Sequence, residues 1–361
     1  MKKMKKMKKM KKMKSINYLL LSLMIILTSC SKNNPDPIFS GKYENGYFIT
    51  NEGGFGSANG SISFVNENGI VENDVFVSNN SVSALGDVVQ SMSIIGDYAY
   101  IVVNNSNKIE VVSVDSMKYV STINVGFPRY LKQVSDNKAY ITTWGTGFGT
   151  EVKVLDLNTN MITGSIECGS GPEAIEVSNG FAYVCNQGGY STDNKISVID
   201  INSDIVVATI EVEDKPNSIA SDANGNIWVL TKGTTEYDAN WNEVPVSPGS
   251  LVKISSNSIE NTLFFPLGNY PSNLIINDAG NELYYSCAGA VYAFNVNSSI
   301  LSETPIIDKS FYGLGFNNNY IFAGASSDFI SSDWSYRYTT SGIVVDSVNV
   351  GIAPNGYCFT N

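Results

Sequence analysis

Apolar residues in this chain form short runs of about four to eight positions that are rich in Val, Ile, Tyr and Thr. Gly, Asn or Asp bounds most of these runs, and apolar positions at helical spacing are nearly absent. This pattern is typical of β-strands joined by tight turns. The clearest copy spans residues 169–212 and predicts four antiparallel strands, called A to D here, at 169–175, 181–186, 195–200 and 206–212.

The same four-strand pattern recurs along the chain with an irregular period. Aligning the copies on the central residue of strand B gives seven anchors spaced 52, 40, 43, 45, 56 and 37 residues apart: Phe48, Tyr100, Tyr140, Tyr183, Trp228, Tyr284 and Ile321. A four-stranded propeller blade takes about 40 to 50 residues. A stretched connector at 78–90 and an insertion at 232–249 account for the two long intervals. We therefore predict an all-β fold, a seven-bladed β-propeller over residues 46–361.

The two ends of the repeat region provide an independent check. The first copy begins at strand B and lacks strand A, whereas a single unpaired strand at 352–359 follows the last copy. This C-terminal strand matches strand A. We expect it to join the first blade and close the ring, which leaves no exposed innermost edge.

The first 29 residues have the pattern of a secretory signal peptide, with Met-Lys-Lys repeats and then an apolar run at 18–27. That run is shorter than the roughly 20 residues that span a bilayer. The string Leu27-Thr28-Ser29-Cys30 resembles the lipobox of bacterial lipoproteins, which implies cleavage before Cys30 and its lipidation; ordinary secretory cleavage is the alternative. Residues 30–45 are expected to form a lipidated tether. These features predict export and a lipid anchor in the outer membrane of a Gram-negative bacterium, on either its periplasmic or its outer face.

The composition excludes several classes of catalytic site, metal site and binding partner for this chain. No histidine occurs in the 361 residues, which excludes Ser-His-Asp and Cys-His catalysis and His-ligated zinc or iron. Nine of the 23 basic residues lie in the first 29, so the remainder has 14 basic against 34 acidic residues. Arg129 and Arg337 are the only arginines, and a strongly acidic surface repels nucleic acid. We therefore predict no nucleic-acid partner.

Four segments of the clearest copy carry a family resemblance: Gly171-Pro172, Tyr183-Val184-Cys185-Asn186, residues 195–200, and Ala208-Thr209-Ile210. They resemble the YVTN, or YncE-like, propeller repeat. The resemblance extends over about residues 46–361 and implies the propeller fold. It does not imply one function, because propellers host unrelated activities.

In a propeller, the D-to-A and B-to-C connectors emerge on one face around the mouth of the central channel, and we expect function there. In this chain those connectors are rich in Gly and carry large aromatic residues together with Asn, Gln and Ser. Aromatics in such loops add little to folding, whereas they form a stacking surface for a planar or sugar-like ligand. The alternative is that some of them, such as Phe55 or Phe148, fill gaps between blades. The predicted ligand-binding residues are Phe55, Phe127, Arg129, Tyr130, Trp144, Phe148, Tyr190, Tyr237, Trp241, Tyr270, Trp334 and Tyr336.

Two enzymatic interpretations compete with ligand binding. Lactonase-type propellers hold calcium with carboxylates at the channel mouth, but the candidate acids here share no common spacing: Glu52, Asp87, Glu173, Asp193, Asp214 and Asp328. Solvated loop acids are the simpler interpretation. Quinone-dependent dehydrogenase propellers usually need a histidine and an arginine cluster, and the sequence has neither. We therefore predict a non-enzymatic protein without a metal or cofactor, and keep a calcium-dependent lactonase-type hydrolase as an alternative.

The cysteines after Cys30 are Cys168, Cys185, Cys287 and Cys358. An even number in an exported protein permits two disulfides. Cys168 ends strand D of one blade and Cys185 ends strand B of the next, so both approach the same face and could pair. The alternative is that Cys185, Cys287 and Cys358 are small buried residues of inner strands.

A lipobox, a YncE-like propeller and aromatic upper loops together resemble the outer-surface lipoproteins that capture cobalamin for a TonB-dependent transporter. That resemblance implies a large, flat, amide-rimmed ligand of the corrinoid class, a transporter partner in the outer membrane and attachment to the membrane through the lipid anchor. An envelope protein- or glycan-interaction module is the main alternative.

Overall fold

The computed structural model describes residues 41–360 of the chain. The predicted signal peptide, the predicted lipidation site Cys30 and most of the predicted tether lie outside the described residues. Within residues 41–360 there are 29 strands, one six-residue α-helix, α1 (Val75–Asn80), and a 3-10 helix at Asn104–Ser106. No helix in this range is long and apolar enough to cross a bilayer.

Seven sheets of antiparallel strands follow one another along the chain, and each sheet is a blade. Blade 1 contains β1 (Gly46–Asn51), β2 (Ser61–Asn66) and β3 (Val71–Glu72), and blade 2 contains β4 (Val89–Ile95), β5 (Tyr98–Val103), β6 (Lys108–Ser113) and β7 (Tyr119–Asn124). Blade 3 contains β8 (Pro128–Ser135), β9 (Lys138–Thr143), β10 (Glu151–Asp156) and β11 (Met161–Glu167), and blade 4 contains β12 (Pro172–Ser178), β13 (Phe181–Asn186), β14 (Lys195–Asp200) and β15 (Ile205–Glu211).

The second half of the chain continues the series with one insertion. Blade 5 contains β16 (Pro216–Ser221), β17 (Ile227–Thr231), β20 (Ser250–Ser255) and β21 (Ser258–Phe264), and β18 (Thr234–Tyr237) and β19 (Glu243–Ser247) form a separate hairpin between β17 and β20. Blade 6 contains β22 (Ser272–Ile276), β23 (Glu282–Cys287) and β24 (Ala290–Asn295), and blade 7 contains β25 (Gly313–Asn317), β26 (Tyr320–Gly324), β27 (Trp334–Thr339) and β28 (Val344–Asn349). The predicted all-β, seven-bladed propeller is confirmed.

The seven predicted anchors explain why the blades pack. Each anchor lies in strand B of its blade, and none is more than 4% exposed. A sheet that is covered on both faces buries residues of both faces, and this accounts for nearly continuous apolar runs in these strands. The anchors therefore mark the buried middle of each blade.

The last strand, β29 (Pro354–Phe359), closes the ring as predicted. It pairs antiparallel with β1, with Tyr47 opposite Phe359, and forms the innermost strand of blade 1. The backbone N–H of Gly46 also donates to Thr360 Oγ1 at 3.0 Å. Each innermost strand contacts that of the next blade, in the order β29, β4, β8, β12, β16, β22 and β25, and β25 returns to β29.

Three segments depart from the simple repeat. The helix α1 begins before the connector expected at 78–90 and includes its first three residues. It buries Val75 and Phe76 between blades 1 and 2. The insertion at 232–249 forms the β18–β19 hairpin. Blade 6 has one bridge between Val291 and Ile307 in place of a fourth strand.

Packed structure begins before the first strand. Tyr43, within the predicted tether, is fully buried, and its ring contacts those of Phe48 and Phe64. Its backbone N–H donates to the carbonyl of Asp115 in blade 2 at 3.3 Å. The packed domain therefore starts at or before residue 43, not at residue 46.

Apolar clusters fill the spaces between neighbouring blades. The cluster between blades 7 and 1 is the smallest, because Ile49, Val65 and Val350 are its only buried members within residues 41–360. Each of the other six clusters has at least eight. The seam at which the ring closes is thus the least filled interface between blades.

The predicted Cys168–Cys185 disulfide is not formed, since all four cysteines in residues 41–360 are free thiols. Cys168 packs between blades 3 and 4, whereas Cys185 is buried between blades 4 and 5. The sheet of blade 4 therefore separates the two side chains. Burial raises the pKa of Cys168 to about 12. The alternative prediction was that Cys185, Cys287 and Cys358 are small buried residues. Cys185 and Cys287 are buried, whereas Cys358 is half-buried.

Candidate functional site

A ring of polar side chains surrounds one end of the central channel. In six blades the innermost strand has a β-bulge near its first residues, which leaves one or two residues unpaired. A bulge redirects the side chain of the unpaired residue. All six of the first unpaired residues line a cavity of about 630 Å³, which we call the channel mouth: Gln90, Arg129, Glu173, Asn217, Asn273 and Asn355.

The two charged members of this ring form a buried ion pair between blades 3 and 4. Arg129 Nε and Nη2 donate to the two carboxylate oxygens of Glu173 at 2.7 and 2.8 Å. The side chains are only 14% and 5% exposed. Burial alone would lower the pKa of Arg129, but the charge and hydrogen bonds of Glu173 raise it above its ordinary value. This geometry is the bidentate arrangement in which a guanidinium binds a carboxylate most strongly.

A second acid, Glu52, faces the same cavity from the end of β1. Tyr312 Oη donates to Glu52 Oε2 at 2.5 Å, and the Tyr312 ring lies edge-on to Phe329 at 5.1 Å. Burial raises the pKa of Glu52, and the hydrogen bond from Tyr312 and the charge of Arg129 oppose that rise. Lys232, which is exposed, lines the mouth from blade 5.

Three asparagines of the ring also join neighbouring blades. Asn355 Nδ2 donates to the Val89 carbonyl at 2.9 Å and Asn217 Nδ2 to the Pro271 carbonyl at 2.9 Å. Asn273 makes the same kind of bond to Tyr312 at 3.1 Å. The amides therefore hold the mouth rigid, and a rigid rim is pre-organised for binding.

The aromatic cluster, defined as Phe127, Trp144, Phe148 and Tyr190, lies beside this mouth in connectors of blades 3 and 4. Tyr190 is at its centre, with ring centroids 6.4 Å from Phe127, 6.0 Å from Trp144 and 5.7 Å from Phe148, all edge-to-face. Phe148 and Tyr190 are 62% and 61% exposed. The guanidinium of Arg129 lies 4.2 Å from the Trp144 ring, which joins the cluster to the ion pair.

Backbone conformations in these connectors are specialised for close approach. A side chain at Gly147 would collide with the Tyr190 ring, because the added Cβ would lie 2.2 Å from it, and Gly147 has φ of 105°. Phe127 has φ of 38°, a left-handed conformation that is costly for a bulky residue. The buried indole Nε1 of Trp144 has no hydrogen-bond partner among residues 41–360. The aromatic cluster therefore contains both a strained backbone, at Phe127, and an unsatisfied hydrogen-bond donor, at Trp144.

The structure gathers only some of the predicted binding residues. Arg129 and Tyr130 line the channel mouth, and burial raises the pKa of Tyr130 to about 12. Tyr237 and Trp241 contact each other on the β18–β19 hairpin, with centroids 6.2 Å apart and exposures of 59% and 83%. No ring contact within the described chain links this pair to the aromatic cluster.

The remaining predicted residues lie apart from the cluster. Phe55 is exposed in the connector after β1, and Tyr270 is half-buried in the connector before β22. Trp334 is the first residue of β27, so it opens a strand where a connector residue was predicted. Tyr336 also lies within this strand, although it was predicted in a connector, and its ring packs against that of Phe311, 5.9 Å away.

Sequence reasoning missed the amide members of the channel mouth: Gln90, Asn217, Asn273 and Asn355. A signal was present, because in four blades the mouth residue follows the proline that opens the innermost strand: Arg129, Glu173, Asn217 and Asn355. The position after that proline therefore identifies the rim directly from the repeat.

The candidate calcium ligands are dispersed, and most are already engaged. Glu173 binds Arg129, Asp193 accepts from the Ser170 N–H at 2.7 Å, and Asp214 accepts from Ser247 at 2.7 Å. Asp87 accepts two bonds from the Gly56 N–H, and Asp328 accepts from Ile330 and Ser331. Among residues 41–360, no three acidic or cysteine side chains form a group that could hold a metal ion. The candidate acids therefore do not gather into a cluster of three carboxylates within the described residues.

Comparison with solved structures shows the same fold. The chain resembles a quinoprotein alcohol dehydrogenase-like protein from Bacteroides thetaiotaomicron at 16% identity and a TM-score of 0.65, over 88% of this chain and 79% of that one. It also resembles a protein of Bacteroides uniformis named as a candidate 6-phosphogluconolactonase, at 13% identity and a TM-score of 0.61, over 88% and 99% of the two chains. Hydrazine synthase of Kuenenia stuttgartiensis matches at 17% identity and a TM-score of 0.55, over 80% and 89%. Identities this low establish only a shared fold.

Sequence comparison gives a family without an activity. No curated protein matches the chain. The model of a family described as a domain of unknown function (DUF5074) matches residues 45–347, which is most of the propeller. The chain therefore belongs to the DUF5074 family, here a seven-bladed β-propeller.

Proposed function

We propose that this protein is a non-enzymatic lipoprotein of the outer membrane that captures a small molecule on the connector face of its propeller. The observation that carries the proposal is the aromatic cluster beside the channel mouth. Phe148 and Tyr190 leave more than half of their side-chain surface in water. Aromatic surface gathered in this way is typical of a binding site.

The two adjoining surfaces suggest the chemistry of the ligand. The exposed rings offer stacking and apolar contact. The rim beside them offers amide donors and acceptors, and its buried Arg129–Glu173 pair is internally neutral. A flat ligand with amide groups on its periphery suits both surfaces. A corrinoid, captured for delivery to a TonB-dependent transporter, is the ligand class that we propose.

The direct test is titration of the full-length protein with cyanocobalamin, followed by calorimetry and tryptophan fluorescence. Trp144 belongs to the cluster and contacts Tyr190, so its emission should change on binding. We expect Phe148→Ala combined with Tyr190→Ala to weaken binding roughly five- to 150-fold, since two aromatic contacts together contribute about 1 to 3 kcal/mol and tenfold is about 1.4 kcal/mol. Both residues are exposed, so the double variant should fold normally.

Tyr119→Ala is the matched control, because Tyr119 is an exposed aromatic (53%) on the outer strand β7 of blade 2. Its affinity should equal that of the wild type. Absence of binding at any corrinoid concentration, or equal weakening by the control, would refute the corrinoid proposal.

A second candidate function rests on the β18–β19 hairpin. Trp241 and Tyr237 are exposed at its end, and Val244 and Val246 are 44% and 51% exposed along β19. A projecting apolar arm favours a protein partner in the envelope. If this candidate is correct, Trp241→Ser combined with Tyr237→Ser abolishes retention of one defined envelope protein in pull-downs, whereas the Phe148 and Tyr190 variants retain it.

A further inference from the structure

A second cavity, of about 460 Å³, lies at the seam between blades 7 and 1, and we call it the seam pocket. Its walls include Tyr47, Phe322, Phe359, Arg337, Asp346 and Asn318. Tyr47 lies near the start of β1, Phe359 ends β29 and Asn318 lies in the turn before β26, while the other three residues lie within β26, β27 and β28 of blade 7. They lie at the end of the blades opposite the channel mouth, so the seam pocket is separate from the capture site proposed above.

The cavity exists because this seam is underfilled. Its apolar cluster has three buried members, with four partly buried side chains packed against them, whereas each other seam of the described chain has at least eight buried members. Protein interiors are normally close-packed, since unfilled space loses dispersion contacts. Open space at this seam therefore leaves room for a ligand.

One side of the seam pocket is aromatic. The Tyr47 and Phe322 rings are 4.8 Å apart, and Phe322 lies 5.1 Å from Phe359. The inner strand residue Tyr357 backs Phe322 at 5.6 Å. Rings supported from behind in this way present a fixed apolar surface to a ligand.

The other side is polar and neutral overall. Arg337 Nε donates to Asp346 Oδ1 at 3.2 Å, and Arg337 Nη2 donates to Asp346 Oδ2. These bonds use two of the five N–H donors of the guanidinium. Arg337 also lies over the Tyr320 ring, with its Cζ 5.0 Å from the ring centroid, which fixes its orientation.

The Tyr47 hydroxyl adds a third polar group. It makes no hydrogen bond to any residue between 41 and 360, although Tyr47 lines the pocket beside Asp346. Burial raises the pKa of Tyr47 to about 12, with a smaller rise from the charge of Asp346, so the hydroxyl stays protonated and can both donate and accept.

We propose that the seam pocket binds a neutral pyranose ring, either a free hexose or the end of a glycan. The apolar C–H face of the sugar packs on the aromatic wall, and neighbouring hydroxyls bond to the Arg337–Asp346 pair and to Tyr47. Because the pair cancels its own charge, a charged ligand gains little there, whereas hydroxyls use its donors and its acceptors together.

The experiment is titration of the full-length protein with glucose, galactose and mannose, using ligand-observed NMR and calorimetry. The protein is kept in a detergent without a sugar headgroup. Dissociation constants of about 1 mM are expected for at least one sugar. Sorbitol is the ligand control, since it carries the hydroxyls without the ring, and it should not bind.

Two substitutions assign binding to this pocket. Asp346→Asn, on a side chain that is 44% exposed, and Tyr47→Phe, which removes one hydroxyl, should each weaken sugar binding tenfold or more. Glu260→Gln is the matched control, because Lys253–Glu260 is the equivalent strand C to strand D ion pair of blade 5. It should leave affinity unchanged, as should Tyr190→Ala at the capture site.

Failure of all three sugars to bind at 100-fold the expected constant, roughly 0.1 M, overturns the proposal. So does equal binding of sorbitol, or undiminished binding by both pocket variants with wild-type melting temperatures. Sugar binding that is lost with Tyr190→Ala instead would place the sugar at the capture site and also overturn it. A negative corrinoid titration has no bearing on this result.

Discussion

The buried Arg129–Glu173 pair allows a quantitative test of how the channel mouth is held together. Glu173→Gln keeps the size of the side chain but leaves the Arg129 charge without a counter-charge, at a site where the guanidinium is 14% exposed. Removing one partner of a buried pair costs about 3 to 5 kcal/mol. Within residues 41–360 no other acid is hydrogen-bonded to Arg129, since both of its ion-pair bonds go to Glu173. We therefore expect Glu173→Gln to lower the free energy of unfolding by at least about 3 kcal/mol.

The measurement is urea unfolding of the wild type, Glu173→Gln, Arg129→Met and the double variant, at constant pH and salt. Each single variant should lose about 3 kcal/mol or more in the free energy of unfolding. The double variant removes both charges and should lose far less than the sum, because an apolar replacement of a buried pair is often close to neutral. The coupling energy from this cycle should exceed about 2 kcal/mol.

The same cycle tests the link to the aromatic cluster. Arg129 supports the Trp144 ring from 4.2 Å, so loss of the pair should change tryptophan emission even below the unfolding transition. If Glu173→Gln costs less than about 1 kcal/mol and leaves the emission unchanged, the pair is not the element that holds the mouth, and our reasoning is refuted.

Three further outcomes are expected. Glu52→Gln should stabilise the protein relative to the wild type at neutral pH, because burial raises the pKa of Glu52 above its ordinary value. In urea melts this advantage should shrink as the pH falls through the raised pKa. It should vanish below pH 4.5, where the wild-type carboxyl becomes protonated in both the folded and the unfolded state. Truncation that removes residues 354–361 should abolish cooperative unfolding seen by circular dichroism, because blade 1 loses its innermost strand; a truncated protein that melts like the wild type contradicts ring closure. Cys168 and Cys185 should resist thiol reagents in the native protein and react after denaturation, and detection of a Cys168–Cys185 disulfide by mass spectrometry would contradict the structure.

The fold could be predicted from the sequence because each blade repeats one local pattern. Anchors such as Tyr183 and Trp228 sit in strands that are buried on both faces, and the resulting apolar runs are local signals. Ring closure was also accessible, since a first blade that lacks strand A and a spare strand at the end fit each other. The hairpin at β18–β19 could be located as an insertion, but its strands were not predicted because their residues are largely polar.

The site was harder to predict because it depends on packing between blades. Whether Trp144 meets Tyr190 depends on the relative positions of two connectors in different blades, which no local pattern encodes. Tyr336 shows the converse, since a ring assigned to a connector belongs to a strand. The seam pocket could not be predicted from the sequence. Its shape depends on the distance between residues of different blades, such as Tyr47 and Arg337, which no local pattern encodes.

The pairing of β29 with β1 also constrains when this protein can finish folding. The bond from Gly46 to Thr360 joins positions 314 residues apart, so the first blade stays incomplete until the end of the chain has been synthesised. Contacts between such distant positions form slowly, since a long loop must close first. A chain with this topology therefore cannot complete its ring of blades while it is still being made.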